Sequence, residues 1–282
     1  MRCAWQEFIQ LLPLWMRKDV DTLGKDELQE LRLRVRLPPE LVTISGSLWL
    51  RRNVSAEDLS FVMNATSQYS PWAASTLRNG YITAAGGHRI GVCGEAVIHD
   101  GLMSGIRNPF SVCMRVARDF PGIANAAQCY TGSVLIVGKP GSGKTTLLRD
   151  LIRQRSEDRE GSVVVVDERG ELFPLIHGTS CFPAGKRTDI MTNCTKTQGI
   201  STVLRTMGPA CIAVDEITEQ ADCDALMRAG WSGVSLLATA HAGGRTDLLR
   251  RPAYQPIIES KLFDTLLVMQ PDKSWRAERI LL

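Results

Sequence analysis

Residues 138–145 read GKPGSGKT, between the apolar run VLIV and a segment whose Leu147, Leu148, Leu151 and Ile152 recur at helical spacing. A strand, a glycine-rich turn and a helix in that order match the pattern G-x-x-x-x-G-K-[ST] in sequence and in context. The residue types explain the chemistry. Gly141 and Gly143 let backbone N–H groups wrap an anion without a Cβ in the way, and Lys144 reaches β- and γ-phosphates. Thr145 offers a hydroxyl to Mg²⁺, and the helix N-terminus adds its dipole. Gly138, Lys139, Pro140, Gly141, Ser142, Gly143, Lys144, Thr145 and Thr146 are therefore the expected nucleotide-binding residues, with ATP and Mg²⁺ as the ligands.

A phosphate loop needs a carboxylate at the end of a neighbouring strand to hold the metal and its water shell. Two apolar runs end in adjacent acids: residues 163–166 in Asp167-Glu168, and residues 210–214 in Asp215-Glu216. Acids at the carboxyl ends of buried parallel strands lie where α/β sheets bind ligands. The chain order of phosphate loop, one intervening strand and then the strand ending in Asp215-Glu216 is that of P-loop ATPases that insert an extra strand and use a catalytic glutamate, which favours a functional role for this pair. The next apolar run ends LLATAH, which sets His241 just past the sheet edge, where a γ-phosphate would be sensed.

Around these motifs the second half alternates strand and helix. Strands are expected at 133–137, 162–166, 211–214 and 234–238, helices at 145–154, 196–206 and 219–229, and a closing hairpin from residue 263 onward. Continuous apolar strands alternating with helices mean a parallel sheet covered on both faces. The first half differs. LRLRVRL at 31–37 alternates with period 2, Ser55 and Asp58 have the spacing of a helix cap, a second helix is expected between Pro71 and Gly80, and strands follow around Gly86-Gly87 and through SVCMRVAR. The expected fold class is α/β: a RecA-like P-loop NTPase core with a mainly parallel sheet at 121–282, preceded by a smaller α+β domain at 1–120.

Composition narrows the partners. Among 282 residues, 33 basic and 30 acidic side chains leave +3, and aromatics make up 6%. A nucleic-acid motor would show a basic face with stacking aromatics, so nucleic acid is disfavoured as a partner. Eight cysteines without a C-x-x-C pair suit a reducing compartment, and no apolar run reaches the ~18 residues of a spanning helix. The expected location is cytoplasmic, at most peripheral to a membrane.

The phosphate loop, VVVVDERGEL, the stretch LRTMGPACIAVDEITEQADCDALMRAGWSGVSLLATAH and the earlier GYITAAGGHRIGVCGEAV together resemble the stage III sporulation protein AA family of endospore-forming bacteria. Over residues 131–245 the chain is also similar to type II and type IV secretion and pilus-retraction ATPases, whose Walker A, acidic, Walker B and histidine boxes match 138–145, 167–171, 213–216 and 239–241. The resemblance implies a Mg²⁺-dependent secretion-type ATPase, assembled as a homohexameric ring and docked to a membrane channel complex during endospore formation. It implies that Glu168 or Glu171 activates water while Glu216 supports the metal site; the general pattern of extra-strand ATPases gives Glu216 the base role instead. Arg115 and Arg118 resemble a basic motif that acts across subunits. Two positions depart from the families: Asp215 stands where secretion ATPases tend to have Gly, which favours a metal-coordinating aspartate, and Thr218 where the sporulation family is expected to have Gly, which leaves the local turn open.

Overall fold

Which residues alternate and which run continuously apolar decides the two sheets of this protein. The computed structural model describes residues 1–67, 77, 80–158 and 161–278. It divides into two compact units, Met1–Asp119 with Pro174–Cys181, and Phe120–Phe173 with Phe182–Leu282.

The first unit begins with helices α1 (Trp5–Gln10) and α2 (Leu14–Leu23). Strands β1 (Leu28–Arg34), β2 (Glu40–Thr43) and β3 (Ser47–Trp49) follow, then helix α3 (Ala56–Ser67) and strands β4 (Tyr81–Thr83), β5 (Arg89–His99) and β6 (Leu102–Arg115). The six strands form an antiparallel sheet in the order β3-β2-β1-β6-β5-β4. Leu31, Leu33, Ile90, Val112 and Met114 bury one face against Phe8, Met16, Val20, Leu59 and Val62 of the helices. The alternation of LRLRVRL stops short of its expected end: Arg36 turns into the left-handed region at φ 68° and Leu37 is exposed, because Pro38-Pro39 cannot donate to a ladder. Helix α3 starts as its spacing predicts. The N–H of Asp58 donates to Ser55 Oγ at 3.1 Å and that of Ser55 to Asp58 Oδ2 at 2.9 Å. The helix expected between Pro71 and Gly80 falls almost wholly outside the described residues.

Within residues 174–181 the short strands β9 (Leu175–Ile176) and β10 (Thr179–Ser180) form an antiparallel pair. The second unit holds β7 (Val134–Val137), α4 (Lys144–Asp158), β8 (Val163–Asp167), β11 (Thr188–Thr192), α5 (Lys196–Thr206), β12 (Cys211–Ile217), α6 (Gln220–Trp231), β13 (Ser235–Ala240), α7 (Arg245–Arg250), α8 (Gln255–Glu259), β14 (Thr265–Met269) and β15 (Trp275–Glu278). Its sheet runs β11-β8-β12-β13-β7-β14-β15, parallel throughout except for the β14–β15 hairpin at one edge. Every strand expected in this half is present. β11 is additional; TDIMT has no apolar run and lies half-buried at the other edge, so neither periodicity nor hydropathy announces it. Among the described residues no helix is long and apolar enough to cross a membrane.

Candidate active site

Four parallel strands, β7, β8, β12 and β13, deliver chemistry at their carboxyl ends. After β7 the loop turns through Gly141 and Gly143 at φ 74° and 98°, values that favour glycine. At Gly138 a Cβ would stand 2.5 Å from Ser142 Oγ and 2.8 Å from Met269, so the loop closes only around a bare backbone there. Ser142 Oγ is buried without a hydrogen-bond partner, one of three such side-chain atoms among the described residues. Lys144, the first residue of α4, donates from Nζ to the carbonyl of Lys139 at 3.1 Å and to His241 Nδ1 at 3.0 Å. Burial lowers its pKa, against the opposing pull of Asp215 and Glu216.

The loop is joined to the end of β12. Thr145 Oγ1 donates to Asp215 Oδ2 at 2.8 Å, and Thr239, near the end of β13, donates to the other oxygen of the same carboxylate. Burial raises the Asp215 pKa, and these two hydroxyls oppose the rise. Register between β12 and β13 shifts between Val214 and Ile217, a bulge that turns both Asp215 and Glu216 toward the site. Glu216 lies in the left-handed region at φ 52°, unusual for a residue with a side chain; its N–H donates to Thr239 Oγ1 at 2.8 Å, which fixes the turn.

His241 extends the line. With Nδ1 accepting from Lys144, its Nε2–H donates to Glu216 Oε1 at 3.1 Å, and Glu216 Oε2 receives Arg169 at 3.2 Å. Both oxygens of Glu216 are thus engaged. On the turn after β8, Asp167 accepts the N–H groups of Glu171, Leu172 and Phe173, each at 2.9 Å. Burial nevertheless raises its pKa to about 6. Asp167 therefore shapes the turn that carries Glu168 and Glu171. Glu168 pairs with Lys196 at 2.6 Å. A cavity of about 20 Å³, room for one water, is lined by Glu168, Glu171, Asp215 and Glu216 with Asp167, Arg169 and Lys196.

The expected site residues Lys144, Thr145, Glu168, Glu171, Asp215, Glu216 and His241 therefore stand on neighbouring strand ends. Arg169 and Lys196 had no signal in the sequence: the first reads as an ordinary turn arginine and the second as an exposed helix start. The open turn at Thr218 closes on Asp222, which accepts its N–H at 3.0 Å. Arg118 is not a projecting arginine, since its guanidinium donates to the carbonyls of Lys25 and Leu28. Arg115 is exposed and pairs with Glu30 at 3.1 Å.

The sequence profile described as "Sporulation stage III, protein AA" matches residues 4–278. The stage III sporulation protein AA of Bacillus subtilis (strain 168) is 33% identical over 280 residues, covering 95% of this chain and 91% of that protein. The chain belongs to the stage III sporulation protein AA family. This family member is similar in fold to the Legionella pneumophila ATPase DotB, with a TM-score of 0.61 at 17% identity over 95% of this chain and 80% of that one. It is also similar to the pilus retraction motor PilT, solved with bound ADP: TM-score 0.59, 15% identity, 89% of this chain and 76% of that one. Those likenesses show that this member of the stage III sporulation protein AA family has the α/β, RecA-like fold of DotB and PilT.

Proposed function

We propose that this protein is a Mg²⁺-dependent ATPase of the secretion-motor kind, hydrolysing ATP to ADP and phosphate. The observation that carries the reading is the 2.8 Å hydrogen bond from Thr145 to Asp215, which brings the helix-opening hydroxyl and the strand-end carboxylate to one point. The residues present suit both ligands: Ser142 Oγ is a buried donor without a partner, in a loop whose glycines leave the backbone bare. Residues 138–146 would hold the phosphates, and Thr145 with Asp215 the metal. When bound, Mg²⁺ would neutralise charge building on the phosphate oxygens.

The chain's own residues divide the remaining work. Lys144 supplies a cation that an arriving phosphate would draw away from His241. His241, bonded to both Lys144 and Glu216, transmits that change to the acid. Glu216 has both oxygens engaged, so orientation of the attacking water falls to Glu168, with Glu171 beside it.

The names of the structural relatives, an ATPase and a retraction motor, support a mechanical use of the cycle. The name of the family supports a role in endospore formation. In this reading the motor acts on a membrane channel complex from the cytoplasmic face, as a homohexameric ring. A transition-state arginine acts in cis or in trans in such enzymes, and a head-to-tail interface repeated by rotation closes a ring. Arg115, exposed, is the candidate for that role.

Mixing Lys144→Ala chains with Arg115→Ala chains while measuring size and turnover tests this. Activity of the mixture above either parent is expected; full turnover by a chain that stays monomeric with ATP and Mg²⁺ contradicts the ring.

A further inference from the structure

Lys196 opens helix α5, where the helix dipole disfavours a cation, and its side chain is only 7% exposed. Both placements cost free energy unless carboxylates answer the charge. Two do. Its Nζ donates to Glu168 Oε2 at 2.6 Å and lies 3.6 Å from Asp222 Oδ2. That oxygen of Asp222 also accepts the N–H groups of Thr218 and Glu219, at 3.0 and 3.3 Å. One buried ammonium therefore ties the turn after β8 to the turn after β12, beside the acids at the ends of these two strands that line the one-water cavity. Among the described residues, the second oxygen of Glu168, Oε1, accepts no hydrogen bond.

Resting on the ATPase reading above, we propose that Lys196 is a positioning residue for hydrolysis. It holds the Glu168 carboxylate by one oxygen and leaves the other to accept a hydrogen bond from the attacking water. Through Asp222 it sets the place of that acid relative to Asp215 and Glu216. Lys196 touches neither nucleotide nor water in this role; it acts through Glu168. A residue that merely stapled two turns together would affect folding and turnover without regard to what occupies position 168.

The test is a double-variant cycle on the full chain: wild type, Lys196→Met, Glu168→Gln and the combination, each assayed for ATP hydrolysis with Mg²⁺, for affinity toward a fluorescent ATP analogue and for melting temperature. Lys196→Met is expected to lower kcat about 10-fold while KM and analogue affinity stay within about 2-fold. Added to Glu168→Gln, it should change kcat by less than about 2-fold, because its route to the chemistry is already gone. Lys196→Arg, which keeps the charge, should recover part of the loss. If Lys196→Met does not fold, Asp222→Asn enters the cycle in its place with the same expectation. Additive losses in kcat, or a fall in analogue affinity as large as that in kcat, overturn the proposal alone. Absence of turnover from a wild-type chain that binds the analogue overturns the ATPase reading and this proposal with it.

Discussion

Two sets of polar side chains, one in each unit, are satisfied in opposite ways. In the first, His88 is fully buried between the carbonyl of Ala4, 2.8 Å from Nε2, and the N–H of Ala117, which donates to Nδ1 at 3.1 Å; burial lowers its pKa and keeps it neutral. Arg118 likewise closes on backbone carbonyls. In the second, Lys144, His241 and Glu216 bond in a line, Asp215 joins Thr145 to Thr239, and Ser142 Oγ and Glu168 Oε1 keep open valences. Side chains that complete the backbone's hydrogen bonding hold a fold; side chains that meet at strand ends with capacity left over make a site.

The largest effect that sharpens this contrast is expected from Lys144→Ala. It removes the only side-chain charge on the phosphate loop's last turn and should weaken ATP binding at least about 100-fold, with little change in melting temperature. Titration with a fluorescent ATP analogue measures it. Next, Glu168→Gln should lower kcat about 100-fold while sparing ATP affinity, since an amide orients water poorly and accepts no proton. Glu216→Gln, assayed in parallel, should bind ATP and also fail to turn over, through loss of the link to His241 and Arg169. If Glu168→Gln left turnover untouched while Glu216→Gln stopped it, the roles of the two acids would be reversed. His241→Ala should lower kcat about 10-fold and ATP affinity much less; equal loss of ADP and ATP binding would mark a structural histidine.

In the first unit the expectation is inverted. His88→Ala leaves the Ala4 carbonyl and the Ala117 N–H without partners and should cost about 1–3 kcal/mol of stability while analogue affinity at physiological temperature is unchanged. Urea denaturation and the binding titration together check it. The last effect, confined to acid pH, concerns Asp167. Its pKa in the folded chain is about 6, against ~3.9 for an unfolded aspartate. Between those values the folded chain keeps a proton that the unfolded chain releases, so this group's contribution falls as pH rises from about 4 to 6 and is level above. Over that whole range the change is about 3 kcal/mol. Asp167→Asn should remove that slope from a plot of melting temperature against pH.

Much of this was legible in the sequence for physical reasons. Continuous apolar runs such as VVVV and CIAV can only be buried strands, and GKPGSGKT admits few conformations. The acids at their ends follow from where strands stop. What stayed hidden depends on tertiary placement. β11 lacks an apolar run because edge strands need none. Lys196 reads as a solvent-facing helix start until Glu168 and Asp222, 28 residues before it and 26 after, are brought around it. The bulge at Asp215-Glu216 has no glycine to announce it, and Arg118 gives no sign of the carbonyls it meets.

The most direct test of the central claim is phosphate release from ATP by the purified full chain, followed as Mg²⁺ is raised and then removed with a chelator, with Asp215→Asn beside the wild type. Turnover that rises with Mg²⁺, stops with the chelator and is lost in Asp215→Asn is the expected result. Turnover indifferent to Mg²⁺ and undiminished in Asp215→Asn would contradict a metal–nucleotide site built on Thr145 and Asp215.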